Sequence, residues 1–198
     1  NNQVKDFVEK EKNFCKVNNI NEFNFYRCTK NKFINSKLME KKIDNFLNKN
    51  ESKIDCIRQY TLKNKTQLIE SEFITYGNHS HSHYLLSSLS KEEQKIEIYN
   101  AYKILKELIP ENRISKIFSI PFGGLESFNS DTIEILKELK YEGALLSRDR
   151  INFDLIYKND TGYSFPLKDR FMAKENIKSF KKHILKLKIN YLRNLIFK

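Results

Sequence analysis

The 198 residues predict an α/β fold built on a mostly parallel sheet, and three features carry that prediction. From about Gln67 onward, short apolar stretches alternate with longer amphipathic ones, the mark of successive βα units. All five glycines lie beyond position 60, where such units need tight turns. The length suits a single domain able to bury a core, and a charged fraction of 31% beside 39% hydrophobic residues fits a globular chain rather than a membrane-embedded one.

Within that single domain, 1–198, three parts are expected: a largely helical part over 1–60, a motif-bearing core over 61–171 and a basic helix over 172–198. Val4 to Phe14 and Leu38 to Leu47 read as amphipathic helices, while the stretch between them, with Phe23, Phe25, Tyr26 and Phe33, fits neither period. Phe73 to Tyr76 reads as a short strand ending at Gly77. Ser90 with Glu93 forms a capping box, each side chain satisfying a free amide at a helix start. The helix then runs through Ile96, Tyr99, Tyr102, Leu105 and Leu108 to Pro110. Lys116 to Ile120 is the next strand, Phe128 to Leu139 the next helix with Ser130 as its cap and Asp131 in its first turn, and Gly143 to Leu146 a third strand. In the C-terminal segment Ile184, Leu187, Tyr191 and Leu195 recur at helical spacing. That stripe is expected to dock on the domain, with peripheral contact to anionic lipid as the alternative.

Much of the net charge of +11 sits in that segment, where eight basic residues from Lys174 to Lys198 face only Glu175. The row reads as a solvated helix face, and no nucleic-acid partner is expected, although binding to nucleic acid or an anionic surface through the tail is the rival. Cys15, Cys28 and Cys56 are too few and too irregularly spaced for a disulfide framework or a CxxC metal site. Their odd number favours a reducing, cytoplasmic setting, and no run of about 18 apolar residues predicts a membrane span. The first residue is not Met, so an extracytoplasmic location is expected if an upstream signal segment has been removed.

Three of the four histidines fall in His79-Ser80-His81-Ser82-His83, directly after a predicted strand. In a helical turn His79 and His83 would share a face; in an extended loop all three would. Either arrangement suits zinc, which accepts neutral imidazole. The second signal is Phe118-Ser119-Ile120-Pro121-Phe122-Gly123-Gly124, a strand ending in Pro and opening on two glycines. A tight turn there exposes backbone amides to a developing oxyanion, and the ring of Phe122 is suited to lining a sugar pocket.

In order and spacing these motifs resemble the polysaccharide deacetylase family, carbohydrate esterase family four. His79, Ser80 and His83 match its His-Ser/Thr-x-x-His motif, and Phe118 to Gly123 match the motif that one subgroup writes Phe-Ala-Tyr-Pro-Tyr-Gly. Tyr141-Glu142-Gly143-Ala144 and Phe165-Pro166-Leu167 with Arg170 resemble later elements, so the resemblance runs from about Tyr60 to Phe171.

The resemblance implies a distorted (β/α) barrel and a metal-dependent hydrolase that removes N-acetyl groups from a polysaccharide. His79 and His83 would be metal ligands, the metal a divalent ion such as zinc, Phe122 the backbone oxyanion donor, Pro121, Phe122 and Gly123 the substrate-binding turn, and Arg170 an orienting residue. The family's paired aspartates, base and ligand, have no counterpart here, since no Asp-Asp pair occurs and Asp6, Asp44 and Asp55 do not end an apolar strand. Two expectations follow: the first strand and its aspartates lie upstream of Asn1, or the protein is a saccharide-binding relative without hydrolysis. The late Leu-x-His motif has no match, and His183 reads as a surface residue.

Overall fold

The structure is a computed structural model that describes residues 2–48, 65–69, 71–150, 152, 162–170 and 176–196. Cys56 and Asp55 lie outside these residues. Two apolar clusters organise what is described. The first is helical: α1 (Asn2–Lys10), α2 (Lys12–Val17), the one-turn α3 (Phe25–Cys28) and α4 (Ser36–Asn48) enclose Val4, Phe7, Phe25, Met39 and Phe46. Phe7 is its pivot, with edge-to-face ring contacts to Phe25 at 5.3 Å and Phe46 at 5.6 Å. The predicted helix Val4 to Phe14 is thus two helices, and the ambiguous stretch contains the short α3.

The second cluster is α/β. Helix α5 (Lys91–Leu108) precedes β1 (Ile117–Ser119), α6 (Ser130–Glu138) and β2 (Gly143–Leu146); β3 (Leu167–Asp169) follows later. The strands form a parallel sheet in the order β1-β2-β3, Phe118 opposite Ala144 and Ala144 opposite Leu167. Phe118, Ile120, Ile135, Leu136 and Leu146 are fully buried between sheet and helices. The α/β class with parallel strands is therefore as expected; a closed barrel is not seen among the described residues.

Corrections to the expected elements have physical causes. Phe73 to Tyr76 is not a strand: only Tyr76 pairs, in a single parallel bridge with Ile114. The polar neighbours of the next residues nonetheless hold the chain beside β1, since the Ser119 amide donates to the Asn78 carbonyl at 2.8 Å. The cap of α6 is Asn129, whose side chain accepts from the Thr132 amide at 3.1 Å, one position before the predicted Ser130. Helix α5 buries a largely polar face. Ile96, Tyr99 and Leu108 are exposed, and the face turned inward carries Gln94, Glu97 and Ile98. That face is chosen by polar partners: Thr132 donates to Gln94 at 2.5 Å, Glu97 accepts from the loop after Asn78, and Lys91–Glu134 and Lys95–Glu138 tie α5 to α6. The capping box of Ser90 and Glu93 is present as read.

The C-terminal helix α7 (Ile177–Ile196) is also present, and Ile184, Leu187 and Tyr191 are half-buried along it. His183, expected at the surface, meets Asp149 at 3.0 Å.

Candidate active site

The loops after the parallel strand ends collect the residues of both motifs. The backbone through 78–83 is neither a helical turn nor extended: Ser80 and His83 sit at φ 63° and 57°, the left-handed region that side chains disfavour. The loop tolerates this because it is tied from below. Asn78, buried, accepts from the Ser80 amide and donates to the Ile98 carbonyl and the Tyr141 hydroxyl. Glu97, also buried, accepts from the Ser82 amide at 2.8 Å and from the Ser82 hydroxyl, and its own carbonyl accepts from the His81 amide. Cross-bracing of this kind is what holds strained backbone at a site.

The outcome separates the three histidines. His79 and His83 face one another with ring centroids 4.8 Å apart, whereas His81 turns to the solvent side and its ring meets Ser82. The Nδ1 of His79 lies 2.7 Å from the Ser119 carbonyl, an oxygen that can only accept, so Nδ1 carries the proton and Nε2 keeps its lone pair. His83 is held below the usual imidazole range by burial, then by the neighbouring His79, which keeps it neutral near pH 7.

The second motif reaches the same point. The ring of Phe122 stands 4.7 Å from that of His83, and the Lys30 ammonium lies 5.4 Å above its centroid. Phe122 and Gly123 both have positive φ, 61° and 64°. At Gly123 a β-carbon would sit 2.3 Å from the Ser147 nitrogen, so the turn closes against the end of β2 only with glycine. Pro121 is fully buried under this turn. Among the described residues the Phe122 N–H finds no acceptor.

Arg170 is placed apart from these groups. Its backbone and side-chain N–H groups both donate to the Leu146 carbonyl, at 2.9 and 3.2 Å. Beside it lies a pair the sequence did not reveal: Arg148 clamps the buried carboxylate of Asp169 at 2.6 and 2.9 Å. A buried bidentate pair of this type fixes the ends of β2 and β3 to each other.

A groove of about 340 Å³ opens where the two clusters meet. His83, Tyr84 and Phe122 line one wall; Met39, Ile43 and Asp44 of α4 line the other. The clusters are joined around it by polar contacts, Ser36 with Ser88 and with the Leu85 amide, and Asn35 and Lys37 with Glu93. The Tyr84 hydroxyl donates to Glu40, and burial together with that bond pushes it up to about 12. The size is at the lower end of small-ligand pockets, and a junction of two units is where such pockets commonly form.

As donors, two imidazoles fit a divalent ion such as zinc. Among the described residues no third His, Cys, Asp or Glu completes the set.

The imidazole pair, the backbone turn and the groove lie together where the α/β and helical clusters meet. The chain matches the polysaccharide deacetylase family profile over residues 29–144, more than half its length, and it belongs to that family. No curated protein and no solved structure matches the chain. The match begins well before Tyr60 and takes in α4, so the helical wall of the groove falls inside the family region, which ends at Ala144 rather than Phe171.

Proposed function

We propose that the protein removes N-acetyl groups from a glycan by metal-assisted amide hydrolysis, with His79 and His83 as two ligands of a divalent ion, zinc by preference. The observation that supports this most is the convergence of two imidazoles on one amide-bearing turn, His79 to His83 at 4.8 Å and His83 to Phe122 at 4.7 Å. A bound ion of this kind supplies Lewis acidity and a water of lowered pKa. The chain's own residues hold and orient the substrate, and none of those named is the base that takes the water's proton. Ser119 holds the His79 tautomer, so that Nε2 faces the site with its lone pair. The Phe122 N–H donates to the acetamide oxygen as that oxygen gains charge, an interaction whose loss costs about 3 to 4 kcal/mol. Pro121 and Gly123 fix the turn, Arg170 orients the strand ends, and a sugar ring lies along the groove between Phe122 and α4.

A second reading is motivated by the missing third ligand among the described residues and by the lack of an Asp-Asp pair: a relative that holds a saccharide without cleaving it. Acetate release from N-acetylglucosamine oligomers by the native protein separates the two, since binding without release favours the second.

The metal assignment is tested by elemental analysis of purified variants. His79→Ala and His83→Ala should each lose stoichiometric divalent metal, and His81→Ala should keep it. Equal metal in wild type and His79→Ala would overturn the assignment.

A further inference from the structure

A helix that packs on a protein normally turns a wholly polar face to water, but the outward face of α7 carries an apolar line among its bases. Phe180, Ile184, Leu187 and Tyr191 form its half-buried side. On the opposite side Leu185, Ile189 and Leu192 are 58%, 47% and 54% exposed. Their spacing of four and then three residues puts them in one line along the helix. By the same rotation of 3.6 residues per turn, Lys181 and Lys188 flank that line on one side, and Lys182, Lys186 and Arg193 flank it on the other. Lys178 continues the line at the start of the helix, and no acidic residue occurs anywhere in it.

We propose that this face of α7 docks the protein on an anionic lipid surface. Leu185, Ile189 and Leu192 enter the boundary between headgroups and acyl chains, and the two flanking rows of bases meet lipid phosphates. An apolar line between basic borders is the composition of a helix lying in the interfacial plane, where the long basic stems reach back to the headgroups. Charge complementarity selects this occupant. Two copies of the helix packed stripe to stripe would oppose six basic side chains with six more and no acid in either. A nucleic acid would satisfy the bases and leave the aliphatic line in water. Among the described residues no helix is long and apolar enough to cross a membrane, so the contact proposed is a helix lying on the surface. The docking is independent of the deacetylase chemistry and would bring the groove to substrates held near a lipid surface.

Flotation of the full chain with vesicles tests it, using phosphatidylcholine alone or in equal parts with phosphatidylglycerol. Wild type should float with the anionic vesicles and far less with neutral ones. The triple variant Leu185→Ser, Ile189→Ser, Leu192→Ser should bind at least roughly tenfold more weakly, because it removes the apolar share of the contact. Its thermal midpoint should stay at the wild-type value, since the three side chains are exposed; should the triple variant melt early, Leu185→Ser alone must still show a partial loss. Absence of wild-type flotation overturns the proposal. So does undiminished binding by the triple variant, which would mean attraction by charge alone. A wild-type dimer that the triple variant converts to monomer would assign the stripe to a second copy instead.

Discussion

Glu97 is a carboxylate buried beneath the histidine loop, and its two oxygens are spent on Ser82 of that loop. Together with Asn78 it sets the backbone that turns His79 and His83 toward each other and His81 away. Truncating it leaves the Ser82 amide without its acceptor, a loss of about 1 to 3 kcal/mol of stability. Because outer partners of metal ligands commonly contribute 10- to 100-fold in affinity, Glu97→Ala should weaken zinc binding by about that factor, and Glu97→Gln by less. Chelator competition beside a thermal melt reads both; a variant that melts early yet binds zinc like wild type would limit Glu97 to a structural role. The residues of the two motifs were legible in the sequence because spacing carries them: histidines four apart, and Pro-Phe-Gly at a strand end. Asn78, Glu97 and the Arg148–Asp169 clamp were not, since a polar residue that serves from below has no spacing signal of its own. Glu97 in particular sits in a helix where Ile96, Ile104 and Leu108 are exposed and only Ile98 is buried beside it.

The same conflict between pattern and partner recurs at the level of elements. β2 spans Gly143–Leu146 as read, because a short run of small and aliphatic residues flanked by a tight turn has few alternatives, and the Ser90 box starts α5 where its hydroxyl and carboxylate dictate. The inward face of α5 was not legible because it is set by buried hydrogen bonds rather than by aliphatic periodicity. α7 shows why such a helix is hard to orient: it carries two apolar lines, and only contact with the domain tells them apart. Leu187, on the half-buried line, should therefore resist a charge that Leu185 accepts. Leu187→Asp is expected to cost about 1 to 3 kcal/mol and to lower the thermal midpoint, whereas Leu185→Asp should leave the midpoint in place. Equal melting of the two variants would mean that α7 is not docked by this face.

At the scale of the molecule, the chain read as one domain divides its apolar interior in two, with a helical cluster around Phe7 and an α/β cluster around Phe118. No linker rich in Pro, Gly or Ser marks the division, but the confinement of all five glycines to positions beyond 60 already separated a helical part from the motif-bearing core. What crosses the junction is mainly hydrogen bonding, through Ser36, Asn35, Lys37 and Glu40, and such bonds contribute about 0.5 to 1.5 kcal/mol each against the larger sums inside either cluster. The two units should therefore respond unequally to a cavity. Phe7→Ala removes a ring from the centre of the helical cluster, a change of about 3 to 5 kcal/mol. Hydrogen exchange should then accelerate in α1 to α4 while α5, α6 and the sheet keep their protection, and probes of the two units should no longer melt together. Function should divide in the same way. On the proposed function, zinc would be held by the loop that Asn78 and Glu97 brace in the α/β unit and its binding should survive Phe7→Ala, whereas oligosaccharide binding would use the α4 wall of the groove and should weaken. If exchange instead rises equally in both units and zinc and oligosaccharide affinity fall together, the two clusters fold as one and the groove is not a seam between them.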